Sequence, residues 1–262
     1  MDPEPALTRD ALLDLFDLTD RVAIITGGSR GIGRAAAEGF AAMGAKVVVA
    51  SRKADACEET VRAIEAAGGS ALAVPTHVGD VDQVAALAEA AAAHFGGIDI
   101  VINNAANPLA LPIGTVTTEA LDKSYQANVR GPLFLVQAAL PHLRKSEHPS
   151  VVNVVTAGIY TSGAFVSLYV AAKSALMSLT RSMAAELSRF GIRVNALAPG
   201  TVDTDMVRNM PEAFQQSAVD VQLIRRMAQP REMVPALLYL ASDASSFMTG
   251  QSLVVDGGMT VH

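Results

Sequence analysis

The chain has 262 residues, half of them hydrophobic and 18% charged, with a formal net charge of −6, no Trp and a single Cys. That is ample apolar material for one large core, long for an average domain but ordinary for a single α/β sheet wrapped in helices. The modest acidic balance without a basic stripe argues against a nucleic-acid partner. One cysteine makes no internal disulfide, and the scattered histidines His77, His94, His142, His148 and His262 lack metal-ligand spacing, so no metal site is expected.

Residues 1–20 read as an extension, rich in Asp, with a short amphipathic turn or helix around Leu12, Leu13, Leu15 and Phe16. A secretory leader would open basic and then turn apolar, and no apolar run reaches the length of a membrane span. A soluble, cytoplasmic protein without a membrane partner is therefore expected. Apolar runs of strand character follow at Arg21 to Thr26, Lys46 to Ala50, Ala71 to Pro75, Ile98 to Asn103, Val151 to Val155, Arg193 to Leu197 and Ser252 to Val255. Helical spacing fills 34–43, 54–67, 81–95, most of 118–145, and 167–190. Strands apolar on both faces that alternate with helices predict a doubly wound parallel sheet of about seven strands, in one domain from 21 to 262. The segment 203–227 breaks the rhythm, with Met206, Met210 and Met227, mixed polarity and weak periodicity. It reads either as a substrate lid or as a pair of ordinary surface helices.

The sequence TGGSRGIG, Thr26 to Gly33, directly follows a strand and directly precedes a helix. Gly27 lets the chain leave the strand sharply, Gly31 lets backbone approach a pyrophosphate, and Gly33 permits close helix–sheet contact. The free N–H groups at the helix start then face the phosphates of a dinucleotide. An NAD site carries a carboxylate about 20 residues on, for the ribose 2′-hydroxyl. Here the second strand ends in Ser51-Arg52-Lys53. Arg52 together with Arg30 suits a 2′-phosphate, so NADP(H) is expected, with NAD(H) as the alternative.

Tyr169 and Lys173 stand four apart, which on a helix places them on one face, one turn apart. A free phenol, with a pKa of roughly 10, is a poor proton donor or acceptor at neutral pH, and a neighbouring ammonium favours its ionised form. That pairing predicts a tuned acid–base phenol.

With the glycine turn, Asn103-Asn104-Ala105, Asn128, Tyr169-x-x-x-Lys173 and Pro199-Gly200 in this order, the chain resembles the short-chain dehydrogenase/reductase family from about residue 20 to 258. The resemblance implies a Rossmann-type fold and a catalytic set of Asn128, Thr156, Tyr169 and Lys173. Asn128 would be the asparagine of the helix kink, positioning the lysine through water. Tyr169 would be the general acid/base, and Lys173 would lower its pKa and contact the nicotinamide ribose. Thr156 stands thirteen residues before Tyr169, where the family has Ser. A Thr hydroxyl still donates a hydrogen bond, but its methyl narrows the pocket and restricts χ1.

The resemblance also implies cofactor contacts from Ser29, Ile32, Asn104, Ala105, Tyr169, Lys173, Pro199, Gly200, Val202 and Thr204 besides the residues above. His77-Val78 occupies the place of the family's Asp-Val beside adenine, and Ala106 replaces the Gly of its NNAG motif. Asp256-Gly257-Gly258 matches a C-terminal motif linked mainly to assembly. The family implies a homotetramer or homodimer through the two long helices holding Leu133 to Leu143 and Leu176 to Leu187. Ile159, Tyr160, Phe165, Met206 and Met210 would line an apolar pocket for a small carbonyl or alcohol substrate. Two other readings remain: an NAD-dependent alcohol or sugar dehydrogenase, and a nucleotide-binding member impaired by Thr156. An enoyl reductase is disfavoured, because that group spaces its Tyr and Lys more widely.

Overall fold

The computed structural model describes residues 7–161 and 163–261, so the first six residues of the extension, Ser162 and His262 lie outside the described residues. The strands are β1 (Val22–Thr26), β2 (Lys46–Ser51), β3 (Ser70–Pro75), β4 (Ile100–Asn103), β5 (Ser150–Val154), β6 (Arg193–Pro199) and β7 (Ser252–Val255). The helices are α1 (Arg9–Asp14), α2 (Gly31–Ala42), α3 (Ala54–Ala66), α4 (Val81–Phe95), α5 (Thr118–Tyr125), α6 (Gly131–Leu143), α7 (Ser167–Leu187), α8 (Asp205–Arg208), α9 (Glu212–Asp220) and α10 (Val234–Ala241). All strands pair in parallel in one sheet ordered β3-β2-β1-β4-β5-β6-β7.

Side chains alternate across each strand. Ala23 and Ile25 of β1 join Val47, Val49, Ile102 and Leu197 under α2, α3 and α10, while Val22 and Ile24 join Val48, Val101 and Val194 under α4, α6 and α7. Both faces are therefore dry, which is why the strands read as unbroken apolar runs. The chain reverses winding direction between β1 and β4, and in such sheets ligands settle beyond the strand ends at that switch.

Strand boundaries differ from the sequence reading by one or two residues. Ile98 is buried but precedes β4, and β6 runs on to Pro199. The mostly helical stretch expected over 118–145 is two helices joined by a π-helical turn, Gln126–Arg130, which carries Asn128, where the resemblance implied a kink. The helix α10 was not foreseen: VPALLYLA is apolar almost throughout and too short to show a period. The segment 203–227 folds as α8 and α9 with no buried residue in either helix. Among the described residues no helix is long and apolar enough to cross a membrane, and no cluster of His, Cys, Asp or Glu could hold a metal.

Candidate active site

The glycine turn leaves β1 with Gly27 at φ 66° and Gly31 at φ 54°, left-handed conformations that favour glycine. A Cβ on Gly33 would lie 2.2 Å from Gly27 O and 2.5 Å from Asn104 Nδ2, so only glycine permits this close crossing of turn and helix. The N–H groups of Gly31, Ile32 and Gly33 precede the first helical bond, Arg34 N to Arg30 O at 3.2 Å, and remain available to an anion. The cradle thus fits a dinucleotide pyrophosphate.

Asn104 holds this turn from beneath: its Nδ2 donates to Thr26 O at 2.9 Å and Gly27 O at 3.3 Å. Thr26 Oγ1 accepts from the N–H groups of Asn104 and Ala105 at 3.0 and 3.1 Å. Asn104 therefore shapes the turn, with its amide committed to backbone. At the end of β2, Ser29 Oγ donates to Ser51 Oγ at 2.8 Å, and Arg52 is exposed with no ion-pair partner among the described residues. Arg30, also exposed, lies 3.3 Å from Asp205 at the start of α8.

After β3, His77 is exposed. Its N–H donates to Gln83 Oε1 at 2.8 Å, and its Nδ1 accepts from Gly79 N at 3.1 Å. The ring closes a local loop and the adjoining Val78 is half-buried, its carbonyl 2.2 Å from where a Cβ on Gly131 would stand. After β6, Gly200 N donates to Val255 O at 3.0 Å, and a Cβ there would meet Asp256 Cα at 2.6 Å. Val202 is buried beside Ala228, while Thr204 Cγ2 packs 3.0 Å from the Cβ position of Gly31. Of these, Thr204 meets the glycine turn, while Pro199 and Gly200 lie against Val255 and Asp256.

Tyr169 and Lys173 lie in the first turns of α7, over the end of β5. Lys173 is buried, and its Nζ donates to Val154 O at 2.6 Å, 5.9 Å from the Tyr169 ring centroid. Burial holds the lysine down at about 7 and pushes the phenol up to about 12. The expectation that the ammonium dominates the phenol therefore needs a correction for the ligand-free protein, where each group responds first to its own loss of water. A protonated Lys173 one helical turn away would favour the ionised phenol and oppose that rise.

Thr156 follows β5, and its Oγ1 accepts from Gly158 N at 3.2 Å, which leaves its hydroxyl proton free to donate. Gly158 sits between Thr156 and Val170, tying this loop to α7. Asn128 is fully buried in the π-turn. Its Nδ2 donates to Asn107 O and Ser124 O, both at 2.9 Å, and its Oδ1 accepts from Asn107 N at 3.1 Å. The amide clamps the backbone of Asn107, the loop after β4, and makes no direct bond to Lys173.

Sequence reasoning missed Asn107, and also a buried polar chain beneath the site. Asn103 Nδ2 donates to Asn153 Oδ1 at 2.9 Å, Asn153 Nδ2 to Thr180 Oγ1 at 2.9 Å, and Thr180 Oγ1 to Leu176 O at 2.8 Å. This chain joins β4, β5 and α7. A polar Asn inside the apolar run SVVNVV was the signal. Of the expected pocket residues, Ile159 packs against the buried cluster of Val155, Leu176, Met177, Ala196 and Ala198, and Phe165 meets Phe214 of α9 edge to face, ring centroids 5.8 Å apart. Phe214 was not foreseen. Tyr160 is exposed, and Met206 and Met210, in the segment 203–227, are half-buried.

A family model described as enoyl-(acyl carrier protein) reductase matches residues 27–260. The chain is 40% identical, over 92% of its length and 97% of the relative's, to cis-4-hydroxycyclohexanecarboxylate dehydrogenase of Sinomonas cyclohexanicum. A short-chain type dehydrogenase/reductase from Mycobacterium marinum superposes with TM-score 0.91 at 34% identity, covering 96% of this chain and all of that one. A blue fluorescent protein from a metagenomic library, solved in complex with NADPH, gives TM-score 0.89 at 33% identity, covering 94% of this chain and all of that one. The chain belongs to the short-chain dehydrogenase/reductase family. It is accordingly an NAD(P)-dependent oxidoreductase acting on alcohol and carbonyl groups.

Proposed function

We propose that the chain catalyses reversible hydride transfer between NADP(H) and a carbonyl or secondary-alcohol carbon of a small apolar substrate. The observation that carries this reading is the placement of buried Lys173 beside the Tyr169 ring, bonded to Val154 O at the end of β5, one loop away from Thr156. When bound, the nicotinamide supplies the hydride chemistry. In the reducing direction Tyr169 gives a proton to the developing alkoxide while the Thr156 hydroxyl holds that oxygen. Lys173, when protonated, opposes the rise that burial gives the phenol. Asn128 fixes the Asn107 loop that walls the substrate side and, by the family's pattern, supports proton relay through water.

Support for NADP(H) comes from the exposed guanidinium of Arg52 and the absence of a carboxylate at Ser51, with Arg30 close by on the turn. The relative acting on a hydroxylated cyclohexane acid makes cyclic secondary alcohols the first substrates to try. We read 203–227 as the substrate lid, touching the pocket through Phe214. The outer faces of α6 and α7 are read as contacts of a homotetramer or homodimer.

The test is NADPH consumption with cyclic and linear ketones, in the intact protein and in Tyr169→Phe. Loss of turnover by roughly 10²–10⁴-fold with NADPH affinity nearly unchanged is expected. A Phe variant that turns over normally removes Tyr169 from the chemistry.

A further inference from the structure

The glycine turn and the lid meet at two adjacent points. Thr204 packs its methyl against Gly31, and Asp205, the first residue of α8, reaches Arg30 with Oδ2 3.3 Å from Nη1. Arg208, on the same short helix, is held in bidentate fashion by Asp203 at 2.7 and 3.0 Å, so it is committed elsewhere. Among the described residues Asp205 has one ion-pair partner, and that partner is also one of the two cations offered to a cofactor phosphate.

We propose that Asp205 is a cofactor-selectivity residue: its carboxylate occupies Arg30 and competes with the 2′-phosphate of NADP(H) for that guanidinium. The inference rests on the NADP(H) reading and deepens it. A guanidinium can form a bidentate pair with a carboxylate or with a phosphate, and the two anions repel one another when crowded on one cation. Binding of NADPH therefore requires Arg30 to leave Asp205, whereas NADH, which lacks the phosphate, leaves the pair intact. Asp205 thus lowers the preference for NADPH that Arg30 and Arg52 create. The same exchange frees the base of α8 from the glycine turn when the phosphorylated cofactor is held, so the two cofactors set the lid differently. Both side chains are well exposed, so the effect is small and falls as salt rises.

The experiment measures dissociation constants of NADPH and NADH by cofactor fluorescence in the full chain and in Asp205→Asn, Asp205→Ser, Arg30→Ala and the Arg30→Ala/Asp205→Asn pair. Expected is NADPH binding tightened roughly two- to five-fold by either Asp205 change, with NADH unmoved. The gain should shrink at high salt and vanish in the Arg30→Ala background, a coupling that a merely structural role for Asp205 would not produce. Unchanged or weaker NADPH binding overturns the proposal, and so does equal tightening of NADH. Arg52→Asp separates the two failures. If Arg52→Asp and Arg30→Ala both leave the NADPH-to-NADH ratio untouched, the NADP(H) reading itself fails. If they lower it while Asp205→Asn does nothing, only the competition is wrong.

Discussion

The floor of the site and the segment 203–227, the proposed lid, are built from different kinds of interaction. On the floor, Lys173 bonds Val154 O, Asn128 clamps Asn107, and Asn103, Asn153 and Thr180 form a continuous buried chain. Each of these groups is out of water, so each bond left unmade would cost about 1–3 kcal/mol. In the segment 203–227, Gln222 is buried and its Oε1 accepts from Thr201 N at 3.0 Å, but α8 and α9 bury no residue, and their exposed contacts include the Arg30–Asp205 and Arg208–Asp203 pairs and the Phe165–Phe214 edge. Such contacts are individually worth about 1 kcal/mol or less. The residues proposed to move protons thus sit on the part that cannot shift cheaply, and Phe214, proposed to meet the substrate, sits on the part held by weaker contacts.

Three measurements break or sharpen that contrast. The largest effect belongs to the floor at Thr156. Its replacement by Ala should lower kcat by roughly 10²–10³-fold, on the scale of losing one oxyanion donor, while Thr156→Ser keeps or raises it. A harmless Ala would mean that some other group holds the substrate oxygen.

The second effect is on stability. Lys173 is depressed to about 7 in the fold, against an ordinary value of roughly 10.4, so between those values the unfolded chain binds more protons. Stability of the cofactor-free protein should therefore rise with pH from about 7 toward 10, by up to a few kcal/mol. Denaturant midpoints should follow that slope, and Lys173→Met should flatten it. A wild-type protein insensitive to pH across this window would show that the ammonium is better solvated than its burial implies.

The smallest effect belongs to the lid. Phe214→Ala should raise KM for ring ketones a few-fold and leave kcat nearly unchanged, because one edge-to-face contact is lost and the proton-moving groups are untouched. A fall in kcat equal to that of Thr156→Ala would erase the distinction between floor and lid.

The glycine turn and the Tyr169–Lys173 pair were legible in the sequence because they obey local rules, whereas Asn128 and Thr156 were named only through the family resemblance. Thr26 to Gly33 sits between a strand and a helix, and Tyr169 and Lys173 sit one helical turn apart, so spacing alone places them. The parallel sheet follows from strands that are apolar on both faces. What spacing could not convey is which partner a buried polar group finds. Asn128 bonds Asn107, twenty-one residues away, and Asn104 bonds the glycine turn across seventy-eight. Nor could it show that burial, acting before any charge, pushes Tyr169 up and Lys173 down. The π-turn that carries Asn128 hides inside a helical pattern, and α10 is too short and too apolar to declare a period. Phe214 and Asp205 were illegible because an exposed residue on a weakly periodic segment carries no pattern at all.

Gly200 passes so close to Asp256 that the two backbones touch, and just beyond, Ile224 N donates to Gly257 O at 2.8 Å while Leu223 fills the space over Gly258. The last few residues are therefore the seat of the turn that follows α9, and removing the chain after Val255 would take from Ile224 N its acceptor and from Leu223 its neighbour.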